Sequence, residues 1–442
     1  MTIPVQAETA LERLNAAGYQ AYIVGGAVRD CVRGAAVKDW DLTTDALPEQ
    51  TEAVFRDFPL VETGMKHGTV TVLLDGLPLE ITTFRVDGSY TDHRRPDGVR
   101  FTARLEEDLA RRDFTMNAMA WSPGRGLVDP FGGREDVRRG LIRCVGAPER
   151  RFREDALRIL RALRFSSELG FSVEPAAAAA LHSQRTLLSA VAAERVQGEL
   201  TRLLCGPGAE GVLLEYGDVL AVPIPELAPM FGFQQFNPHH DRDVWAHTAA
   251  VVGAAPPQAV LRWAALLHDA GKPECFTRDE GGAGHFYGHA RRSALLADGI
   301  LSRLRFDTRS RERIVELVRR HDDPILPEEG AVKRLMNRLG PEGAEQLIAL
   351  HRADTMGQSA LSRGRLADHD RAETLRRALL ERAACFSLKD LAVSGRDMLE
   401  LGLQGPAVGR ALDACLNAVM DGRVPNRREE LLAFLQNNRV RE

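Results

Sequence analysis

Residues 21–41 read AYIVGGAVRDCVRGAAVKDWD, and this stretch decides the fold of the first part of the chain. The apolar run 21–24 predicts a short strand, and Gly25 and Gly26 follow it directly, before a segment with helical character. Paired glycines at such a corner let the backbone approach a phosphate group, toward which the first N–H groups of the helix point. Taken alone, a corner of this kind is more often a plain turn.

Two aspartates close the same stretch. Because side chains alternate along a strand, Asp39 and Asp41 are expected to point to one face. Their charges repel unless a cation neutralises them, and paired oxygen ligands suit Mg²⁺. In two-metal phosphoryl transfer, such ions activate the attacking hydroxyl and hold the leaving group. Glu80 is a candidate third catalytic carboxylate, whereas the alternative for the aspartate pair is a solvated strand edge.

Beyond this stretch, the pattern of apolar residues predicts a first part of the chain that contains both strands and helices, and a remainder that is helical. Residues 70–74 and 77–84 predict two strands around a turn at Asp75-Gly76, and helical patterns lie at 9–17 and 48–57. From about residue 150 onward, segments rich in Ala, Leu and Arg with helical periodicity take over, among them 155–169 and 192–204. Prolines between positions 223 and 238 predict a joint before a second helical part.

Composition places the chain among ordinary globular proteins. It has 442 residues, 44% of them hydrophobic and 27% charged, which excludes wholesale disorder and suggests about three domains. The six cysteines are widely spaced and contain no CxxC pair, so a reducing, cytoplasmic location is expected. We see no signal peptide and no apolar run long enough for a membrane span, and therefore expect no membrane partner.

Basic charge is concentrated in one part of the chain. The formal net charge is −4, yet residues 134–165 hold ten arginines and five acids, a local excess of +5. Such a concentration suits an RNA backbone or a nucleoside triphosphate. The alternative is a solvated helix face with paired charges.

Several ordered motifs together resemble one family. The glycine pair followed by Asp39 and Asp41 resembles the nucleotidyltransferase superfamily that includes polymerase-β-like enzymes. Further blocks narrow the resemblance to class II tRNA nucleotidyltransferases (CCA-adding enzymes) and bacterial poly(A) polymerases. These blocks are Arg111-Arg112-Asp113-Phe-Thr-Met-Asn117-Ala, Asp129-Pro-Phe-Gly-Gly133, Glu154-Asp155-Ala-Leu-Arg158-Ile-Leu-Arg161-Ala-Leu-Arg164-Phe and Glu194-Arg195-Val-Gln-Gly-Glu199-Leu.

The resemblance implies a role for each block. Arg111 and Arg112 would face the triphosphate, since guanidinium groups bind phosphate oxygens in pairs, and 129–133 would be a flexible joint. Asp155 and Arg158, predicted to share one helix face, would act as a template for the amino and ring-nitrogen edge of cytosine or adenine. An ordinary helix ion pair is the alternative. The implied nucleotide-binding residues are Gly25, Gly26, Arg29, Arg111, Arg112, Asn117, Asp155, Arg158, Arg161 and Arg164.

Residues 85–96 are polar and contain Gly and Pro, which predicts a mobile loop. The segment resembles the loop that full CCA-adding enzymes use to pass from C to A addition, and so favours A incorporation. The alternative is a long hairpin connection.

A second set of motifs contains histidines. The run Leu-Leu-His268-Asp269-Ala-Gly-Lys272 resembles the HD superfamily of metal-dependent phosphohydrolases, and its ligand pattern maps onto His247, His268, Asp269 and Asp354. These ligands suit a divalent metal such as Mn, Ni, Co or Mg. His289 and His321 are candidates for a second metal or a phosphate. Catalysis and a scaffold role both stay open for this part.

Together, these resemblances imply an α+β protein: a polymerase-β-like head with a mixed sheet and helices, then all-α neck, HD and tail domains. The expected bounds are 1–140, 141–235, 236–360 and 361–442. The implied function is template-independent addition of the 3′-terminal CCA to tRNA from CTP and ATP, with Mg²⁺ as cofactor and pyrophosphate as product. The alternatives are an A-adding enzyme or poly(A) polymerase, an HD phosphohydrolase with an inactive head, and a noncatalytic RNA-binding protein. The oligomeric state is left open.

Overall fold

The computed structural model describes residues 1–61, 68–88 and 99–439, which form two compact units, Met1–Pro225 and Glu226–Glu442. The division between them lies within the proline-bearing stretch that predicted a joint. Among the described residues, no helix combines the length and apolar character that crossing a membrane requires.

The first unit is built on a seven-stranded mixed sheet, whose order is β3-β4-β5-β2-β1-β8-β9. Strands β2 and β5 are parallel, whereas the other neighbouring pairs are antiparallel. Two small two-stranded sheets, β6–β7 and β10–β11, complete the set. The strands are β1 (Ala21–Val24), β2 (Asp41–Thr44), β3 (Leu60–Val61), β4 (Thr69–Leu74), β5 (Leu77–Thr83), β6 (Arg85–Asp87), β7 (Val99–Phe101), β8 (Ala120–Ser122), β9 (Gly126–Val128), β10 (Leu141–Ile142) and β11 (Ser172–Val173).

The hairpin of β4 and β5 confirms the predicted strands and turn. Asp75 and Gly76 both have positive φ, 45° and 83°, as a two-residue hairpin turn with the native twist requires. Val70, Val72 and Leu74 are buried while the residues between them are less so, which is the alternation of a half-buried strand.

Helices pack on this sheet and form the rest of the unit. Helices α7 and α9 contact each other extensively and carry the arginine-rich and Glu194–Glu199 motifs. The predicted helix 192–204 is confirmed, whereas the predicted helix 155–169 begins two residues later. The helices are α1 (Val5–Ala16), α2 (Gly26–Arg33), α3 (Pro48–Val54), α4 (Leu105–Ala110), α5 (Gly133–Arg139), α6 (Pro148–Glu154), α7 (Leu157–Leu169), α8 (Pro175–Gln184), α9 (Ala193–Cys205) and α10 (Ala209–Leu220).

The described residues of the second unit form helices and one short hairpin, β12 (Thr277–Arg278) and β13 (Gly284–His285), which the all-α expectation missed. Its helices are α11 (Val244–Ala254), α12 (Ala259–Leu267), α13 (His289–Arg303), α14 (Thr308–Arg320), α15 (Glu329–Gly357), α16 (Leu366–Glu381), α17 (Gly395–Glu400), α18 (Pro406–Met420) and α19 (Arg428–Arg439). The long helix α15 is interrupted at Gly340, which has a φ of 72° and precedes Pro341. Helices α11, α12, α14 and α15 pack together, and His247, His268 and His321, which lie on or at the ends of α11, α12 and α14, are buried.

Candidate active sites

A cavity of about 470 Å³ opens between the sheet of the first unit and helix α7. It is lined by twelve of the thirteen residues predicted for this site, and Glu80 is not among its lining residues. Asp113, Phe165, Lys38 and Arg202 also line it, although sequence reasoning had not assigned them a role. The predicted residues that line it are Gly25, Gly26, Arg29, Asp39, Asp41, Arg111, Arg112, Asn117, Asp155, Arg158, Arg161 and Arg164.

The glycine corner lies where β1 ends and α2 begins. Gly25 precedes α2 with φ 69°, a conformation that side chains rarely adopt. A Cβ atom at this position would also lie 3.1 Å from Nη1 of Arg112. A larger residue at position 25 would therefore strain the backbone and displace the Arg112 side chain.

The aspartate pair is positioned by strand pairing. Strand β2 begins only at Asp41, which pairs with Val24 of β1, and Asp39 precedes the strand. The expectation that both aspartates lie on one strand is therefore wrong, although both line the cavity. The reason is that the ladder with β1 ends at Val24, where the glycine corner turns the chain away.

Strand pairing places Glu80 beside Asp41. Glu80 is the partner of Asp41 on the parallel strand β5 and is exposed. Burial of Asp41 and the charge of Glu80 raise the pKa of Asp41 to about 6, with a smaller contribution from Asp39 and an opposing one from Arg112. These three carboxylates thus repel one another, and a cation would relieve that repulsion.

A buried aspartate that sequence reasoning missed holds the arginine pair. Asp108 is fully buried in α4, and its two oxygens lie 2.8 Å from Arg111 Nη2 and 3.4 Å from Arg112 Nη2. Burial opposes ionisation, but the two guanidinium groups keep the pKa of Asp108 below its usual value. The spacings of three and four residues are the signal that could have found it.

Asp113 connects the first-unit motifs to helix α7. Its carboxylate lies 2.6 Å from Arg161 Nη2 and accepts a hydrogen bond from Asn117 Nδ2 at 3.3 Å. Asn117 in turn accepts one from Arg29 Nη1 at 2.9 Å. Although burial opposes it, the charges of Arg161 and Arg158 lower the pKa of Asp113 to about 2.

The expected placement of Asp155 and Arg158 on one helix face is wrong. Asp155 lies between α6 and α7 with extended φ and ψ, −138° and 106°, and its carboxylate accepts the N–H of Leu157 at the start of α7. Arg158 does not pair with it. It donates instead to Glu154 at 2.8 Å and to the carbonyl of Arg111 at 3.1 Å. Asp155 and Arg158 are joined through the backbone, since Arg158 donates its N–H to the carbonyl of Asp155 at 3.0 Å, and both residues line the cavity.

Arg164 has a more structural position than the resemblance implied. Its side chain is 2% exposed and is held by Glu199 at 2.5 Å and Glu168 at 2.7 Å. Its guanidinium carbon lies 3.9 Å from the ring centre of Phe165. Arg164 thus fixes the wall of the cavity, because its buried guanidinium group is paired with two carboxylates.

Two further expectations are only partly described by the structure. The predicted loop 85–96 is wrong at its first three residues, which form strand β6 and pair antiparallel with β7, and its residues 89–96 lie outside the described residues. The segment predicted as a flexible joint includes Asp129, whose carboxylate accepts from the N–H groups of Gly133 and Arg134 at 2.7 and 2.9 Å. Its flexibility stays a prediction.

The second unit contains a cavity of about 290 Å³ beside two groups of potential metal ligands. His247, His268 and Asp354 form one group, and Asp269, His289 and His321 form the other. Asp269 faces both: its Oδ2 lies 3.2 Å from His268 Nε2, and its Oδ1 lies 3.5 Å from His289 Nε2. All four residues predicted as ligands are thus brought together with the two additional histidines.

The donor set fits a metal ion. The Nδ1 atoms of His268, His289 and His321 lie 2.7–2.8 Å from backbone carbonyls, which only accept, so each Nδ1 carries the proton. In the neutral rings the Nε2 lone pairs therefore point inward, with His289 and His321 Nε2 only 3.0 Å apart. Such facing lone pairs repel unless a cation lies near them.

Charges around the cluster also favour a cation. Burial opposes it, yet the carboxylates of Asp269 and Asp354 raise the pKa of His268 to about 10. Conversely, the charges of His268 and Lys272 hold the pKa of Asp269 well below its usual range despite its burial. The two carboxylates thus favour positive charge at this point, which a metal ion held by these ligands would supply.

Sequence reasoning assigned no role to two residues at this cavity. Lys272 is buried, and its Nζ lies 2.8 Å from both Asp269 Oδ2 and Gln235 Oε1. His240 also lines the cavity, and burial together with the charge of Lys272 lowers its pKa to about 3. The position of Lys272 three residues after Asp269 could have indicated its contact with that carboxylate, whereas no sequence pattern indicated a role for His240.

Comparison with known proteins gives the same order of parts. Residues 21–143 match the family described as "Poly A polymerase head domain", and 243–385 match "HD domain". Residues 170–230 match "Probable RNA and SrmB- binding site of polymerase A", and 346–435 match "tRNA nucleotidyltransferase domain 2 putative". A CCA-adding enzyme of Geobacillus stearothermophilus is 37% identical over 98% of this chain and 96% of its own length. The chain belongs to the CCA-adding enzyme family.

Solved structures agree with this assignment. The chain is similar to the CCA-adding enzyme of Bacillus stearothermophilus in complex with CTP, with a TM-score of 0.78 and 33% identity over 100% of this chain and 99% of the other. The CCA-adding enzyme of Thermotoga maritima complexed with tRNA shares the fold, with a TM-score of 0.58 at 19% identity over 98% and 94% of the two chains. The predicted family, fold class and nucleotidyltransferase activity are confirmed, and a CCA-adding enzyme of this family implies a divalent metal.

Proposed function

We propose that this chain adds or repairs the 3′-terminal CCA of tRNA, using CTP and ATP and releasing pyrophosphate. The observation that carries this proposal is the first-unit cavity, which joins the aspartate pair, the arginine pair and Asp155 with Arg158. Its volume of about 470 Å³ accommodates one nucleotide at a time. The choice of substrates is supported by the CTP complex of the similar Bacillus stearothermophilus enzyme and by the tRNA complex of the Thermotoga maritima enzyme.

In this proposal, Asp39 and Asp41 would hold Mg²⁺, with Glu80 beside them across the sheet. Bound Mg²⁺ would supply charge stabilisation for attack of the tRNA 3′ hydroxyl on the α-phosphate. Arg111 and Arg112 are held toward the cavity by Asp108, so their remaining donors are available to the triphosphate. The N–H groups at the start of α2, after Gly25, contribute further donors for phosphate oxygens.

Base selection would belong to Asp155 and Arg158. A carboxylate accepts the exocyclic amino group of cytosine or adenine, and a guanidinium donates to the neighbouring ring nitrogen. Uracil and guanine present a carbonyl and an N–H at that edge, which mismatch both groups. Arg29, Asn117 and Arg161 are linked through Asp113 and would set the position of helix α7 against the nucleotide.

We assign the parts of the chain accordingly: 1–140 as catalytic head, 141–235 as neck for base selection and RNA, 236–360 as HD part, and 361–442 as tRNA-binding tail. The family matches at 21–143, 170–230, 243–385 and 346–435 support this order. The cytoplasmic location stays a prediction.

Three tRNA transcripts test the main proposal: one ending before CCA, one after C and one after CC. Each is incubated with Mg²⁺, CTP and ATP, and the 3′ ends are sequenced. Ordered addition that stops at CCA is expected. Addition of A only to the CC-ended transcript would instead make the chain an A-adding enzyme, and long A tails would make it a poly(A) polymerase.

Asp39→Asn should abolish this addition, because it removes a charged oxygen ligand. Asp75→Asn, at the exposed hairpin turn, is the matched control and should leave addition unchanged. An active Asp39→Asn variant would contradict the proposed metal site.

A second activity is favoured by the ligand cluster of the second unit. We infer that this cluster binds Mn, Ni, Co or Mg and hydrolyses phosphate esters, with Lys272 placed beside the ligands to receive a phosphate oxygen. Bound metal would supply an activated water. The wild type is expected to release phosphate from such esters. The variant Asp269→Ala should lose this activity and keep nucleotide addition. Phosphate release that survives in this variant would contradict the inference.

A further inference from the structure

Tyr287 lies at the histidine-rich cavity of the second unit, yet it belongs to none of the potential ligand groups. It is 78% exposed and lines that cavity together with His289 and Lys272. An exposed aromatic ring at the edge of a cavity offers a flat face on which a nucleobase can stack. The ligand cluster alone gives no reason for an aromatic side chain at this position.

The ring of Tyr287 is held by a stack. It lies parallel to the imidazole of His285, with ring centres 5.4 Å apart and an angle of 7° between the planes. His285 is itself fixed, since its Nε2 lies 2.9 Å from Asp279 Oδ2. The Tyr287 ring is thus oriented before any ligand arrives, which lowers the entropic cost of stacking on it.

The hairpin that contains His285 contacts residues that also hold Lys272, the residue proposed to bind a phosphate oxygen. Gly284 of β13 donates its N–H to the carbonyl of Phe236, and a Cβ on Gly284 would clash with the carbonyl of Gln235, 2.1 Å away. Gln235 also accepts from Lys272 Nζ at 2.8 Å. The segment at Gln235 and Phe236 therefore contacts both the hairpin that contains the aromatic stack and Lys272.

The distances suit a nucleotide. Tyr287 precedes His289, the first residue of α13, by two residues, which spans at most about 7 Å of backbone. A phosphate near Lys272 and the ligand cluster would therefore place an attached ribose and base within reach of the exposed ring. An ester without a base would leave that ring uncovered.

We propose that Tyr287, backed by His285, is a base-stacking platform that makes this cavity select nucleoside monophosphates over phosphate esters that lack a base. This inference rests on the second activity proposed above, since it names the substrate class of that site. Tyr287 is a specificity-determining residue here, because it contacts the base and not the reacting phosphate.

The test uses the full chain loaded with Mn²⁺ and isothermal titration calorimetry with AMP and with ribose 5-phosphate, both as phosphonate analogues in which a carbon replaces the ester oxygen, so that neither is hydrolysed and the two differ in the presence of the base. The wild type should bind AMP about tenfold more tightly than ribose 5-phosphate, as one stacked base provides. Tyr287→Ala should lose this preference and keep its affinity for ribose 5-phosphate. Tyr287→Phe should retain the preference, because it keeps the ring.

Asp269→Ala measures the AMP that binds elsewhere in the chain, and this background is subtracted. Equal affinities for the two ligands in the wild type, or an unchanged preference in Tyr287→Ala, would overturn the platform and leave the hydrolytic site intact. Binding of neither ligand above the background would overturn both the platform and the proposed phosphohydrolase.

Discussion

Asp155 and Arg195 form a two-pronged ion pair across 40 residues of sequence, with Arg195 Nη2 3.0 Å and Nη1 3.4 Å from the two carboxylate oxygens. Arg158, the other residue of the proposed base template, pairs with Glu154 instead. Each template residue is thus oriented by a partner of its own. Arg195 comes from helix α9, which packs on α7, so the helix pair positions the carboxylate that would read the base.

We expect Arg195→Ala to lower kcat/KM for CTP and ATP by roughly tenfold, because a carboxylate without its charged partner loses its orientation. Misincorporation of UTP should rise at the same time. Steady-state incorporation into a CC-ended and a C-ended transcript measures both effects.

Arg139→Ala is the matched control, since Arg139 also pairs with an acid, Glu135, but on an exposed helix. It should change kcat/KM by less than about twofold. Equal losses in the two variants would mean that the Asp155 pair has no specific role.

Asp41 predicts an unusual pH dependence of stability in the metal-free chain. Its pKa in the fold is about 6, above the ordinary aspartate value of 3.8, because of burial and the charge of Glu80. Between these pH values the folded chain retains a proton that the unfolded chain loses, so stability falls as pH rises, by on the order of 2 kcal/mol. Urea unfolding in EDTA at about pH 4 and about pH 7 measures this slope.

Asp41→Asn should reduce that slope and raise stability at neutral pH, while nucleotide addition is lost. Mg²⁺ should raise the unfolding midpoint of the wild type and not that of the variant. A variant less stable than the wild type at neutral pH would contradict the carboxylate repulsion described above.

Gly25→Ala should lose most nucleotide addition. The added Cβ meets Arg112 at 3.1 Å, and the positive φ costs roughly 1–2 kcal/mol for a residue with a side chain. Gly18→Ala shares the strain, with φ 89°, but no atom lies within 4 Å of its Cβ. It should therefore lower the unfolding midpoint with full activity in the folded protein. If both variants keep activity, Gly25 has no part in the phosphate site.

Asp269→Ala should lose metal at both ligand groups of the second unit, because its two oxygens face different histidines. Asp354→Ala should lose metal only at the group it shares with His247 and His268. Mass spectrometry of bound Ni²⁺ after dialysis compares the metal content of each variant with that of the wild type. Equal metal content in the two variants would contradict the bridging position of Asp269.

Much of the chemistry was readable from local patterns. Gly25 and Asp41 were found from a strand and a turn, and His268 with Asp269 from a short motif, because each signal lies within a few residues. The hairpin at Asp75 was found for the same reason. His240 was missed because only its neighbours in space give it a role, whereas Asp108 was missed although its spacing to Arg111 and Arg112 was a local signal.

By itself, the sequence determined which residue types carry the chemistry and in which order the parts follow. Only the tertiary structure decided how they pair: Asp155 with Arg195 rather than with Arg158, Glu80 with Asp41 through strand register, and Asp269 between two histidine groups. Helical and strand periods relate residues only a few positions apart. Partners separated by tens of residues are chosen by the packing of whole helices and strands, and this choice exists only once the chain has folded.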